Sequence, residues 1–185
     1  MSPSPIERDD PPEGFVSDQA ISVRPASRAD LDFVFASERL PGYEGLVGRS
    51  GMAQHETFLE DGRHAYFIGE RAGAPVGFVI VRDWNAADGC ALVKRVVVTE
   101  PGRGIGRAML AAAIDRVFAD TPCYRLEIGL FPANERARRA YAAAGFAVEG
   151  IARGRVFMGG THHDEMVMSM LRPDWEAKRG LEPSP

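Results

Sequence analysis

The chain is poor in cysteine and in lysine, and each shortage closes off a class of function. Its 185 residues hold two cysteines, Cys90 and Cys123, with no Cys-x-x-Cys pair and no metal-spaced Cys/His set. Neither a disulfide framework nor a metal site is therefore expected. Both cysteines sit in apolar, strand-like contexts and read as small buried hydrophobes. His162 and His163 are adjacent, which sends them to opposite faces of a strand and makes them a poor metal pair. Lys94 and Lys178 are the only lysines, and the net charge is −4 with a pI near 5.6. A nucleic-acid binder usually shows a basic face, so no nucleic-acid partner is expected. A mildly acidic surface suits a cationic amine instead. No membrane-length apolar run and no signal-peptide pattern occur, so the expectation is a cytoplasmic protein with no membrane partner. A Gly-Lys-Ser/Thr triplet is also missing, which excludes a Walker A loop.

What is present reads as one globular domain. Hydrophobic residues make up 45% and charged residues 26%, enough to bury a core at this length without crosslinks. Residues 1–20 carry Pro3, Pro5, Pro11 and Pro12 among polar residues and read as a disordered leader. Residues 21–172 carry the domain, and 173–185 read as a short C-terminal tail.

Within the domain, Ile21 to Arg24 alternates as a strand. Ser27 and Asp30 can cap a helix running to Leu40, with Leu31, Val34 and Phe35 on its buried face. Pro41-Gly42 stops it, and a second helical segment spans residues 51–60. Strand patterns at 65–68, 76–81 and 91–98, separated by Gly- and Asn-containing turns, predict an antiparallel meander. A helix with Leu110, Ile114, Val117 and Phe118 on one stripe follows. In the next strand Leu126, Ile128 and Leu130 share one face, leaving Arg125, Glu127 and Gly129 on the other. A helix from Asn134 to Ala144 and strands at 146–150 and 165–171 complete an α+β order.

The most informative stretch runs from Lys94 to Leu110. It reads as a buried strand, a tight turn with Gly102, Gly104 and Gly106, and the start of a helix. Alternate glycines let the backbone approach a ligand closely and turn successive N–H groups into one hollow. A helix N-terminus adds unpaired donors, and Arg103 and Arg107 add charge, which together make a phosphate cradle. The spacing does not close a G-x-G-x-x-G/A dinucleotide fingerprint in either frame. A glycine-rich turn without a ligand is the bland alternative.

Downstream lies Asn134-Glu135-Arg136-Ala137-Arg138-Arg139-Ala140-Tyr141-Ala142-Ala143-Ala144-Gly145-Phe146. With this second motif the chain resembles the GNAT superfamily of acetyl-CoA-dependent N-acetyltransferases, over roughly residues 20–172. The resemblance rests on Gly104 and Gly106 in the loop, then Asn134, Ala137, Tyr141, Gly145 and Phe146. Pro101 departs from it, standing where the family usually has Gln or Arg. The segment from Glu149-Gly150 through Arg153 and on to Leu171 looks like the RimJ/RimL-type branch. The resemblance implies a mixed sheet of about seven strands flanked by helices, whose fourth and fifth strands splay apart to admit CoA. It implies acetyl transfer to a primary amine, such as a protein N-terminus, a polyamine or an amino acid, with no metal, and leaves a homodimer open. A non-catalytic acyl-CoA sensor with the same fold is the competing class.

On this reading the backbones of Arg103, Gly104, Ile105, Gly106 and Arg107 hold the pyrophosphate. Val96, Val97 and Val98 offer a strand edge to the pantetheine arm, and also read as a buried strand. Asn134 reads both as a helix N-cap and as a polar contact to CoA. Tyr141 is the candidate acid, because a phenol stays protonated at neutral pH and can serve a departing thiolate. Its alternative is packing on an alanine-rich helix face. For the base, the related RimI branch places a glutamate where this chain has Gly129. Glu127, one pleat away on the same face, and Glu44, in the Pro41–Gly51 connection, are the two candidates.

Overall fold

The computed structural model describes residues 20–182. The expected leader, apart from Ala20, lies outside the described residues. Strands Ile21–Pro25 (β1), His64–Arg71 (β2), Ala74–Arg82 (β3) and Cys90–Val98 (β4) form the antiparallel meander. Arg125–Leu130 (β5), Ala147–Met158 (β6) and Thr161–Leu171 (β7) extend it to a seven-stranded sheet in the order β1-β2-β3-β4-β5-β7-β6. Among the described residues the one parallel pairing joins β4 to β5. Helices Leu31–Ser37 (α1) and Met52–Glu60 (α2) cover one face of the sheet. Ile105–Asp120 (α3) and Glu135–Ala144 (α4) cover the other.

Each face buries its own core. Met109, Leu110, Ile114, Val117 and Phe118 of α3 pack on Phe67, Val79, Val93, Leu126 and Ile128. Leu31 and Val34 of α1 meet Tyr66, Ile68, Phe78, Ile80 and Val97 on the far side. Strands β2 and β3 lie between both layers, so their apolar residues run continuously instead of alternating. Each fully buried large side chain contributes about 1.5–3 kcal/mol. Gly69 and Gly77 face each other across β2 and β3 and leave the notch into which Met109 seats; a Cβ on either would meet its side chain.

One irregularity sets the geometry of everything that follows. Ile80 pairs with Arg95, but its neighbour Val81 pairs with Val93, so Lys94 is an extra residue in β4. Such a bulge bends the strand and increases its local twist. Lys94 and Arg95 both turn toward the α1–α2 side, Lys94 Nζ lying 4.7 Å from the Phe58 ring centre and Arg95 reaching Glu38. At the same point β4 and β5 part. Their pairing runs from Cys90↔Arg125 to Val93↔Ile128 and stops.

Three expectations change. Cys90 is exposed, because it opens β4 beyond the cover of the helices, whereas Cys123 is buried. The last two strands are longer than their apolar runs suggested and form a hairpin closed at Gly159-Gly160. The C-terminal segment, read as a short tail, is helical: Arg172–Arg179 forms a helix (α5) with Pro173 in its first turn and left-handed Gly180 after its end. Its Trp175 stacks on Phe118 at 5.4 Å and donates from Nε1 to Asp115 Oδ1 at 2.8 Å.

Candidate active site

Past the fork, the edge of β4 that faced β5 has no strand partner, and side chains from both sides meet there. A cleft of about 280 Å³ opens at this point. Val96 and Val98 line it from β4; Gly104, Gly106 and Arg107 line it from the loop and the start of α3. Asn134, Ala137 and Tyr141 close it from α4, and Tyr43, Leu46 and Val47 from the connection between α1 and α2.

The loop has the geometry of an anion site. Gly104 is the N-cap of α3 in a left-handed conformation (φ +76°), and as a glycine it offers no capping side chain. The first-turn amides of Ile105, Gly106 and Arg107 therefore have no acceptor within the helix. A Cβ built on Gly104 would point into open space. An anion at the mouth of α3 would satisfy those donors and meet the positive end of the helix dipole. Gly104→Val is accordingly expected to leave the domain folded, because no protein atom blocks the added side chain, while the strained φ and the filled hollow remove binding of acetyl-CoA. Calorimetry on the folded variant, showing wild-type affinity, would refute the cradle.

Tyr141 sits on the inner face of α4, against the α3-side core and beside Phe146 at 6.4 Å between rings. Burial pushes its phenol up to about 12, which keeps it protonated throughout the neutral range. Asn134 caps α4, its Oδ1 accepting from Ala137 N at 3.1 Å. Any contact from Asn134 to a ligand in the cleft falls to its NH₂ group.

The remaining candidates are placed elsewhere. Val97 is buried in the α1-side core and Ile105 is buried at the start of α3, so each can offer only its backbone. Arg103 is largely exposed and pairs loosely with Glu100 at 3.4 Å. Glu44 faces solvent and its Oε2 accepts from Gly42 N at 2.7 Å, closing its own turn. Glu127 lies on the face opposite Tyr141, accepts from Arg125 Nε at 2.8 Å and lines a separate hollow with Arg63, Arg82 and Asp83. It stands beside Leu92, where the two strands are still paired.

Two features escaped sequence reasoning. Tyr43 places its hydroxyl on the open edge of β4, accepting from Val98 N and donating to Val98 O, both at 2.9 Å. Behind it, the α1–α2 connection is fastened to the bulge by a buried cluster. Glu38 Oε1 pairs with Arg95 Nη1. Its Oε2 accepts from Ser50 N at 3.0 Å and lies 3.3 Å from His55 Nε2. His55 Nδ1 reaches Tyr66 Oη at 3.0 Å, and Arg95 also donates to Ser50 Oγ at 3.1 Å. Burial acts to raise the Glu38 carboxyl, yet the hydrogen bonds from His55 and Ser50 and the charge of Arg95 outweigh it and hold it below its usual range. Partners so far apart in sequence leave no local pattern, so only the fold reveals them.

A sequence model described as the acetyltransferase (GNAT) family matches residues 34–146, which contain the bulged strand, the glycine loop and the α4 motif. The chain belongs to the GNAT acetyltransferase family. It is similar to the probable N-acetyltransferase YjcK of Bacillus subtilis, 36% identical over 75 residues, a match covering 40% of this chain and 41% of that protein. It is also similar to the spermidine N(1)-acetyltransferase of Escherichia coli K12, 23% identical over 172 residues, covering 88% and 91% of the two chains. The Vibrio cholerae spermidine N-acetyltransferase solved with CoA and spermine shares the fold at TM-score 0.73 and 20% identity, covering 84% of this chain and 97% of that one. The splayed β4 and β5 are thus the fork of the GNAT fold. Among the described residues no His/Cys/Asp/Glu group could hold a metal, and no helix is long and apolar enough to cross a membrane.

Proposed function

We propose that this protein transfers an acetyl group from acetyl-CoA to a primary amine inside the β4–β5 fork. The observation that carries this reading is the convergence of a donor-rich helix start, an unpaired strand edge and a protonated tyrosine on one cleft. The pyrophosphate lies against the amides of Gly104 to Arg107, and the amide-bearing arm runs along the edge of β4 at Val96 and past Val98, whose N–H and C=O are held by the Tyr43 hydroxyl. The acceptor nitrogen attacks the thioester carbonyl, a C–N bond forms and the C–S bond breaks. Tyr141 gives its phenolic proton to the leaving sulfur.

The acceptor enters from the α1–α2 side. A second hollow, lined by Leu46, Phe131, Asn134, Met158 and His163, adjoins the cleft and shares Leu46 and Asn134 with it. The resemblance to spermidine acetyltransferases supports polyamines as acceptors. The Glu149-Gly150-to-Leu171 segment supports a RimJ/RimL-like placement and, with it, a peptide N-terminus. Thiol release from acetyl-CoA with spermidine, spermine, single amino acids and peptides bearing free N-termini tests the reading. Turnover with at least one amine is expected. Tight acetyl-CoA binding with no thiol release across the panel would overturn it.

A further inference from the structure

Gly129 is the first residue of β5 beyond the fork, directly after Ile128, which makes the last pairing with β4. Its missing side chain is not replaced by solvent. A Cβ at this position would overlap Oε1 and Cδ of Glu165, which reaches across from β7. Gly129 pairs with Val167, so Glu165, two residues along β7, shares its face of the sheet. That is the α1–α2 face, opposite Tyr141, on which the acceptor approaches. The glutamate absent from β5 has its carboxylate supplied by the neighbouring strand.

The other groups around this point are accounted for. Arg155 of β6 holds Oε2 of Glu165 at 2.8 Å, which leaves Oε1 over the glycine. Glu127 faces Glu165 from β5 and adds negative charge, and His163 precedes it on the same face of β7, stacked edge-on against Phe131. Glu127 and Glu149 are both engaged by Arg125, and Glu149 is held down to about 2, chiefly by the Arg125 hydrogen bond. Glu165 goes the other way: burial raises its carboxyl, the neighbouring Glu127 adds to this, and Arg155 only partly opposes it.

We propose that Glu165, laid over Gly129 at the fork, binds the acceptor's ammonium and takes its proton before the nitrogen attacks. One proton passes from the ammonium to Glu165 Oε1 before attack. The second leaves the nitrogen to solvent once the C–N bond has formed, and as the C–S bond breaks one passes from Tyr141 to sulfur on the other face of the sheet. Solvent returns both groups to their starting states. The assignment rests on the amine-acetyltransferase reading above and names the residue that serves it.

Glu165→Gln keeps the shape of the side chain and removes its basicity. With an amine that the wild type turns over, kcat/KM is expected to fall about 10²–10⁴-fold, the range for a positioned acid or base, while acetyl-CoA affinity stays unchanged. The acidic limb of the wild-type kcat/KM profile should disappear with it. Gly129→Ala is a second, milder variant. Its φ is ordinary for a strand, so the fold tolerates alanine, but the new methyl displaces the carboxylate, and turnover should drop without loss of stability. The double variant Gly129→Glu/Glu165→Ala returns a carboxylate to the fork from β5 and should recover part of the lost rate, a rescue that a merely structural Glu165 would not show. Wild-type turnover and an unchanged pH profile in Glu165→Gln would overturn the assignment. So would the reverse pattern, in which Glu127→Gln loses activity and Glu165→Gln keeps it. A wild type inactive on the whole amine panel would count instead against the functional reading itself.

Discussion

Tyr141→Phe is expected to lower kcat by ~10²–10⁴-fold while leaving the affinity for acetyl-CoA close to wild type. The ring and its packing against Phe146 and α3 survive the change, and only the hydroxyl is lost. An interaction made only in the transition state shows in kcat and not in ground-state binding. Burial has already raised the phenol to about 12, so wild-type activity should show no loss from ionisation of this group until well above neutral pH. Rates measured under single-turnover conditions, so that product release does not mask the step, provide the check. Unchanged turnover there would reduce Tyr141 to a packing residue.

The second large effect concerns stability. Arg95→Ala leaves Glu38 fully buried without its buried charge partner, Arg39 remaining only at 3.7 Å, and breaking a buried pair this way costs ~3–5 kcal/mol. For a chain of this size that is a fall in Tm on the order of 10 °C. The direction of the pH dependence follows from the same cluster. The folded Glu38 carboxyl titrates below its ordinary value of 4.5, so its contribution is complete above that value and is lost as pH falls through the folded one. The stability gap between wild type and Glu38→Gln should therefore narrow as the solution is acidified below about 4.5. Thermal denaturation of both proteins across that range measures it, and a constant gap would mean that Glu38 is not charged in the folded state. Because the cluster fixes the α1–α2 connection to β4, partial losses should also appear as a weaker grip on acetyl-CoA.

Much of this was legible from local pattern. The alternation of Leu126, Ile128 and Leu130, the capping pair Ser27 and Asp30, and the Asn134-to-Phe146 motif each act within a few residues, and each appears where expected. The C-terminal helix was not among these: the segment read as a short tail, whereas Arg172–Arg179 is helical and its Trp175 stacks on Phe118. Gly150 and Gly154 resemble strand breaks; in the structure they take positive φ within β6 and the hairpin continues past them. What stayed hidden was long-range: Tyr43 on Val98, Glu38 on Arg95, and Glu165 on Gly129. Each pair joins a loop or strand to another element through side-chain geometry, which no spacing rule encodes. Gly129 illustrates this best. Reading along β5 alone offered Glu127 as the neighbouring carboxylate, whereas the one that lies over Gly129 reaches it from β7.

The extra residue in β4 acts as a phase shifter. Before it, odd-numbered Ala91 and Val93 face α3; after it, even-numbered Val96 and Val98 do. Were Lys94 threaded as an ordinary strand residue, with strict alternation from Val93 onward, that half-period would be lost. Arg95 and Val97 would then turn toward the acetyl-CoA side, while Val96 and Val98 would turn toward α1, and Glu38 would face a valine. Ligand chemistry and core chemistry are interleaved on one strand, and the bulge that absorbs one residue keeps them from trading places.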